Sequence, residues 1–154
     1  MRRLLFILYS SLFTLHSSLL YAQLYEQSVR AIVEALAVDS LDKAKGMIEQ
    51  TIRLDPMKKS NAILYQYLGG IHQRRGENEK ALEAYEKGIG LSPTSTDLFL
   101  NRAGLYLEMN NEERALYDYN KALELEPDNE EALFYRAFIH SKNRRYKEAR
   151  ADYK

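Results

Sequence analysis

The chain has 154 residues, with 22 Lys and Arg against 22 Asp and Glu, three His and no Cys. The balanced charge argues against a nucleic-acid binder, which needs excess Lys and Arg to displace counterions from phosphates. The missing Cys excludes disulfides, thiolate metal sites, thiol nucleophiles and a lipidated N-terminal Cys. Three Pro and seven Gly leave room for long uninterrupted helices, and the low Val and Thr content does not suggest strands.

Residues 1–22 contain no Asp or Glu; Arg2 and Arg3 precede an apolar stretch from Leu4 to Leu20, which ends on Leu-Leu-Tyr-Ala-Gln. A charged start, an apolar middle and a small residue at the end form the pattern of a secretory signal peptide over 1–22, with Ala22 its last residue. Leu20, at the −3 position, is larger than such sites prefer. The alternative is an uncleaved N-terminal anchor, the only reading under which the chain is tied to a membrane. Either reading predicts export, to the periplasm, the envelope or the medium.

The rest of the chain repeats itself. Pro93 and Pro127 are 34 residues apart, as are Ala81, Ala115 and Ala149. Ala44 precedes Ala81 by 37 residues and Pro56 precedes Pro93 by 37, so both markers place a three-residue insertion around Lys59 to Asn61. The texts around the markers match in register: Glu79-Lys80-Ala81-Leu82-Glu83-Ala84-Tyr85 is followed by Glu113-Arg114-Ala115-Leu116-Tyr117-Asp118-Tyr119. A fixed period of this length signals a stack of supersecondary units. Apolar spacing predicts helices over about 24–38 and 41–54, 60–75 and 78–91, 95–109 and 112–125, and 129–143 and 146–154. Asp39, Gly76-Glu77-Asn78 and Asn110-Asn111 supply the turns inside pairs, since Gly and Asn tolerate the left-handed conformation that closes a helix. Each Pro ends the second helix of its pair.

The pattern resembles the tetratricopeptide repeat family over roughly residues 25–154. The resemblance implies an all-α, right-handed superhelical array of antiparallel helix pairs, an α-solenoid, preceded here by the signal peptide. Its units are about 25–58, 62–95, 96–129 and 130–154, the last of them truncated. In that family small residues at unit positions 8, 20 and 27 let the two helices of a unit approach closely. Position 8 is Gly69, Ala103 and Ala137; position 20 is Ala44, Ala81, Ala115 and Ala149; position 27 is Gly88 and Ala122. The large residues fit as well: Tyr65 and Phe99 at position 4, Tyr106 at 11, and Tyr85, Tyr119 and Tyr153 at 24. The first unit departs from the pattern, with Ile32 at position 8, Ala35 at 11 and Thr51 at 27. An array needs a capping surface after its last unit, so the stop at position 25 of the fourth unit reads as a fragment or as an end covered by a partner.

No catalytic constellation is found, and neither a metal nor another cofactor is expected. His72 and His140 share position 11, where Tyr106 packs in the unit between them, so core packing is the expected role of both. Gly69-Gly70 has no Gly-Lys-Ser/Thr after it, which excludes a phosphate loop; close helix approach explains it. Tyrosines at positions 4, 11, 17 and 24 are expected to pack. The basic tail of Lys142, Arg144, Arg145, Lys147, Arg150 and Lys154 is interrupted by Glu148 and Asp152, and reads as a solvated face.

In the family, a partner lies on the concave surface lined by the first helix of each unit at positions 2, 5, 6, 9, 12 and 13. Here that surface comprises Ile63, Gln66, Tyr67, Gly70, Gln73 and Arg74, then Asp97, Leu100, Asn101, Gly104, Leu107 and Glu108. Glu131, Phe134, Tyr135, Phe138, Ser141 and Lys142 complete it. The Lys, Asn and Arg set with which some members clamp a peptide carboxylate is matched only at Asn101, with Gln66, Glu131 and Tyr135 at the other places. The expected groove is instead mixed and aromatic, with Tyr67, Leu100, Leu107, Phe134, Tyr135 and Phe138 as anchors. The expected function is an exported, non-enzymatic scaffold holding an extended peptide or a helix of another envelope protein. The alternatives are a regulatory or localising module of a larger enzyme or transport assembly, and a self-associating structural element.

Overall fold

The helices follow from the apolar period, and their ends follow from the turn residues. The computed structural model describes the backbone of residues 2–153 and the side chains of residues 18–153. Among the described residues there are eight α-helices and no strand. They are α1 (Arg2–Ala37), α2 (Leu41–Leu54), α3 (Ala62–Arg74), α4 (Asn78–Leu91), α5 (Thr96–Glu108), α6 (Glu112–Leu125), α7 (Glu130–Lys142) and α8 (Tyr146–Asp152). The expected insertion is a single 3-10 turn, Lys59–Asn61, ahead of α3. The chain divides into two compact units, one ending at Asp55 and the other starting at Pro56. In the first, α1 packs on α2; in the second, α3/α4, α5/α6 and α7/α8 are successive pairs, with α4 against α5 and α6 against α7.

The first helix is longer than the expected 24–38, since its backbone continues unbroken from Arg2 past Ala22. The candidate signal over 1–22 lies mostly outside the residues whose side chains are described. Among the described residues, no helix is long and apolar enough to cross a membrane.

One cap recurs in every pair. Asp39, Gly76, Asn110 and Arg144 all have φ between 56° and 71°, and they stand at equivalent places in the repeat. After α3, the Gly76 N–H donates to the Gln73 carbonyl and the Glu77 N–H to the His72 carbonyl. The same two bonds follow α1 at Asp39 and Ser40, α5 at Asn110 and Asn111, and α7 at Arg144 and Arg145. This is the Schellman motif, which satisfies the last carbonyls of a helix and needs a left-handed residue. Gly, Asn and Asp tolerate that conformation; Arg144 carries the cost of a Cβ there. Arg144→Gly is therefore expected to raise stability by about 0.5–1 kcal/mol; urea unfolding followed by circular dichroism checks this, and a loss of stability would contradict the strain. Between pairs the chain uses a different stop. Asp55, Ser92 and Glu126 leave the helical region, at φ −153°, −138° and −133°, as Pro favours in the residue before it.

The second unit is held by helix pairs that nearly touch. A Cβ added at Gly69 would lie 2.6 Å from Cδ1 and 2.8 Å from Cζ of the Tyr85 ring, and closer still to Cε1. Position 8 is small here because the position-24 tyrosine of the paired helix lies across it. Tyr85 and Tyr119 are both fully buried. Around Tyr85 gather Ala62, Ala81, Leu98 and Leu105; around Tyr119 gather Phe99, Leu100, Ala103, Tyr106, Ala115, Ala122, Leu123, Ala132 and Ile139. In the first unit Ile32, Ala35, Ala44 and Ile48 are buried, and the Thr51 hydroxyl donates to the Met47 carbonyl. Two tyrosines expected to pack do not: Tyr146 and Tyr153 are exposed. Tyr146 is the first residue of α8 and Tyr153 follows its last.

Burial pushes the Tyr85 hydroxyl up to about 12, with nearby Glu108 adding to the effect, and burial raises Tyr119 as well. Both groups stay neutral in the folded chain above pH 10, where an unfolded tyrosine ionises. Stability is then fully present below pH 10 and falls as pH rises through about 12. Urea midpoints at pH 9 and at pH 11.5 measure this, and equal midpoints would contradict it.

Two forked ion pairs repeat at the same interval, one on a buried Asp and one on a half-buried Asp. Arg102 on α5 donates from Nε to Asp118 Oδ2 and from Nη2 to Asp118 Oδ1, both at 2.8 Å. One repeat later, Arg136 on α7 makes the same fork to Asp152 at 2.9 and 2.5 Å and also reaches Asn120 at 2.8 Å. Asp118 is fully buried, and Arg102 also lies over the Phe99 and Tyr106 rings at 6.0 and 5.9 Å. In the α3/α4 pair the equivalent residues are Leu68 and Ala84. Sequence reasoning did not single out these pairs, although the Arg and Asp recur at the 34-residue period that marks the units.

Candidate functional site

Helical geometry brings unit positions 2, 6, 9 and 13 into one narrow stripe, since 3.6 residues make a turn. On α3 the stripe is Ile63, Tyr67, Gly70 and Arg74; on α5 it is Asp97, Asn101, Gly104 and Glu108; on α7 it is Glu131, Tyr135, Phe138 and Lys142. Positions 5 and 12 flank it. A hydrogen-bond chain shows that the α3 and α5 stripes are neighbours. The Tyr85 hydroxyl donates to Gln73 Oε1 at 2.9 Å, and Gln73 Nε2 donates to Glu108 Oε1 at 2.8 Å.

The expected groove residues fall into three groups. Arg74, Glu108, Phe134, Tyr135 and Phe138 are exposed; Gln66, Tyr67, Gln73, Asn101 and Leu107 are half-buried. Leu100 is a correction: it is only 7 % exposed and belongs to the core around Tyr119. The reason lies in the stacking, because Ala132 and Ile139 of α7 share that core with it. Leu107 also leans on this core while keeping part of its surface. Asn101 donates from its side-chain amide to the Asp97 carbonyl at 2.6 Å.

The aromatic end of the groove is built on α7. Phe134 and Phe138, one helical turn apart, are 54 % and 49 % exposed. Tyr135 meets Phe134 edge-on at 5.3 Å and stacks on Tyr119 of α6 at 5.6 Å and 12°. Tyr119, against which Tyr135 stacks, lies in the core. Phe134, Tyr135 and Phe138 together put three aromatic rings at the surface of this one helix.

The two histidines expected to pack have separate surroundings. His72 is buried and its Nδ1 lies 2.5 Å from Glu77 Oε2. The His72 hydrogen bond, followed by that of Lys80, holds the Glu77 carboxyl below the usual carboxylate range. His140 is half-buried beside Asn120, Arg136, Glu148 and Asp152. Among the described residues no group of three or more His, Asp or Glu is placed to hold a metal ion. Of the basic tail, Lys142, Arg144, Arg145, Lys147 and Arg150 are exposed, while Lys154 lies outside the described residues.

Family profiles described as tetratricopeptide repeat match residues 62–95 and 96–129, and a second such profile matches 118–151. Among solved structures, a tetratricopeptide repeat protein from Parabacteroides merdae ATCC 43184 is 29 % identical, with a TM-score of 0.76. The match covers 83 % of this chain and 50 % of that one, so the chain spans about half the length of that relative. The second repeat domain of Spaghetti (RPAP3), bound to the HSP90 peptide SRMEEVD, is 28 % identical over 62 % of this chain and 88 % of that one, with a TM-score of 0.58. MamA shares the fold at a TM-score of 0.74 and 18 % identity, over 83 % of this chain and 73 % of its own. No curated protein matches at a significant level.

Proposed function

The chain belongs to the tetratricopeptide repeat family, and from that membership we propose that it is an exported scaffold that holds a segment of an envelope protein on the α3, α5 and α7 stripe. Interaction with other proteins is the work of such repeats, and a similar array, that of Spaghetti, holds a peptide. The observation that carries the assignment to this stripe is the exposed trio Phe134, Tyr135 and Phe138, continuous with the half-buried polar residues of α3 and α5. Aromatic anchors inside a polar surround supply most of the energy of such contacts. Export rests on the basic and then apolar residues 2–20.

A photo-reactive residue at Gln66, introduced in intact cells, is expected to capture a discrete partner. Phe134→Ala with Phe138→Ala should lower that capture about tenfold or more while helicity stays unchanged. Capture that is indifferent to both rings would remove the groove assignment. Fractionation with N-terminal sequencing of the mature chain tests export; a cytosolic chain starting at Met1 would overturn it.

A further inference from the structure

We propose that the groove takes an extended protein segment in which Lys or Arg residues flank an apolar side chain. The inference rests on the groove being the binding surface, and adds the chemistry of what it binds.

The charges on the stripe are not balanced once their partners are counted. Lys142, the cation of the α7 stripe, is held 2.5 Å from Glu112, which also accepts from Asn143 at 2.7 Å. Arg74, the cation of the α3 stripe, has an interaction of its own. Asp97, Glu108 and Glu131 are exposed, and among the described residues none of them makes an ion pair. Glu108 accepts a hydrogen bond from the neutral Gln73 amide. Asp97 and Glu108 stand roughly 16 Å apart along α5, at about 1.5 Å per residue. Glu131 holds on α7 the place that Asp97 holds on α5. This part of the groove is therefore negative at both ends of α5 and apolar at Phe134 and Phe138. A segment with cations on either side of an apolar residue complements it. Its charge is the opposite of that of the acidic SRMEEVD peptide held in the Spaghetti complex.

A second observation points into the same place. In the α3/α4 pair the buried Tyr85 hydroxyl donates to Gln73. One repeat later Leu107 stands where Gln73 stood, and the fully buried Tyr119 hydroxyl has no hydrogen-bond partner. A buried donor left unmade costs free energy that an incoming acceptor recovers. The Tyr135 ring covers Tyr119 and is itself exposed on its outer side. When that ring turns aside, a main-chain carbonyl of the docked segment meets the hydroxyl. Gly104, with nothing within 4 Å of where a Cβ would be, lets a main chain approach the stripe closely.

The test uses the full chain and three short fluorescent peptides, read by anisotropy. One alternates Lys with Leu and Phe, one replaces each Lys by Glu, and one replaces the apolar residues by Ser. The first is expected to bind, more weakly as salt rises, and the other two not. Asp97→Asn, Glu108→Gln and Glu131→Gln together should weaken the first peptide about tenfold with helicity unchanged, and Tyr119→Phe should weaken it about threefold. The proposal is overturned if the Glu peptide binds as well, if no peptide binds, or if the affinity ignores these variants. Capture at Gln66 that still depends on Phe134 and Phe138, beside a failed peptide experiment, means that the groove reading stands and the charge inference alone is wrong.

Discussion

Gly69→Ala is expected to destabilise the α3/α4 pair by about 3 kcal/mol, at the upper end of the usual cost of overpacking a core. The added methyl would enter the Tyr85 ring, lying 2.6 Å from Cδ1 and 2.8 Å from Cζ. That ring has nowhere to go: it is fully buried and its hydroxyl is tied to Gln73. Relief has to come from separating the two helices, which opens the contacts with Ala62, Ala81 and Leu105. The neighbouring glycine is the control. A Cβ at Gly70 would meet only the Tyr85 hydroxyl, at 4.0 Å, and Ala is the better helix former by about 1 kcal/mol. Gly70→Ala is thus expected to be neutral or stabilising. Urea unfolding of both variants decides the matter, and a Gly69→Ala chain as stable as its parent would mean that the helices do not approach as closely as position 8 implies.

Arg102→Leu is expected to cost about 3–5 kcal/mol, because it leaves the Asp118 carboxylate buried with no counter-charge. Asp118 is fully buried and takes both of its side-chain hydrogen bonds from Arg102. The pair itself is not indispensable to the fold. At the same two places the α3/α4 pair has Leu68 and Ala84, which carry no charge. Replacing both partners by these residues, Arg102→Leu with Asp118→Ala, should recover most of the loss, since a buried ion pair often contributes little beyond what an apolar pair would. A double-mutant cycle measures the coupling. A double variant as unstable as the single one would show that Arg102 acts through the Phe99 and Tyr106 rings, and not through Asp118.

The candidate site was legible in its position and only partly in its content. Unit positions taken from the family placed Phe134 and Phe138 on an accessible face, and they are exposed there. The same rule placed Leu100 in the groove, and the structure buries it. Leu100 and Phe134 both occupy position 5, so no property of either helix alone separates them. The difference is that α7 closes over the α5/α6 core, sharing Ala132 and Ile139 with Leu100. The unpartnered Tyr119 hydroxyl was hidden for a similar reason. It arises because Leu107 replaces Gln73 on a different helix from the tyrosine, a loss visible only when the pair Tyr85 and Gln73 is seen to bond.

The sequence by itself determined the helix pairs, their 34-residue period, the turn positions and the small residues at the helix crossings. These are local or periodic signals, written in apolar spacing, in Pro and in the Gly and Asn of the caps, and they need no knowledge of neighbours. It did not reveal that Arg144 adopts the left-handed conformation of Gly76 and Asn110, because Arg is a poor choice for that cap and only the shared hydrogen bonds identify it. The tertiary structure alone decided which groove residues reach solvent, which cations on the stripe are already engaged, and which buried polar groups pair. Burial and pairing depend on what the adjacent helices bring to the same place, and that is set by stacking across repeats.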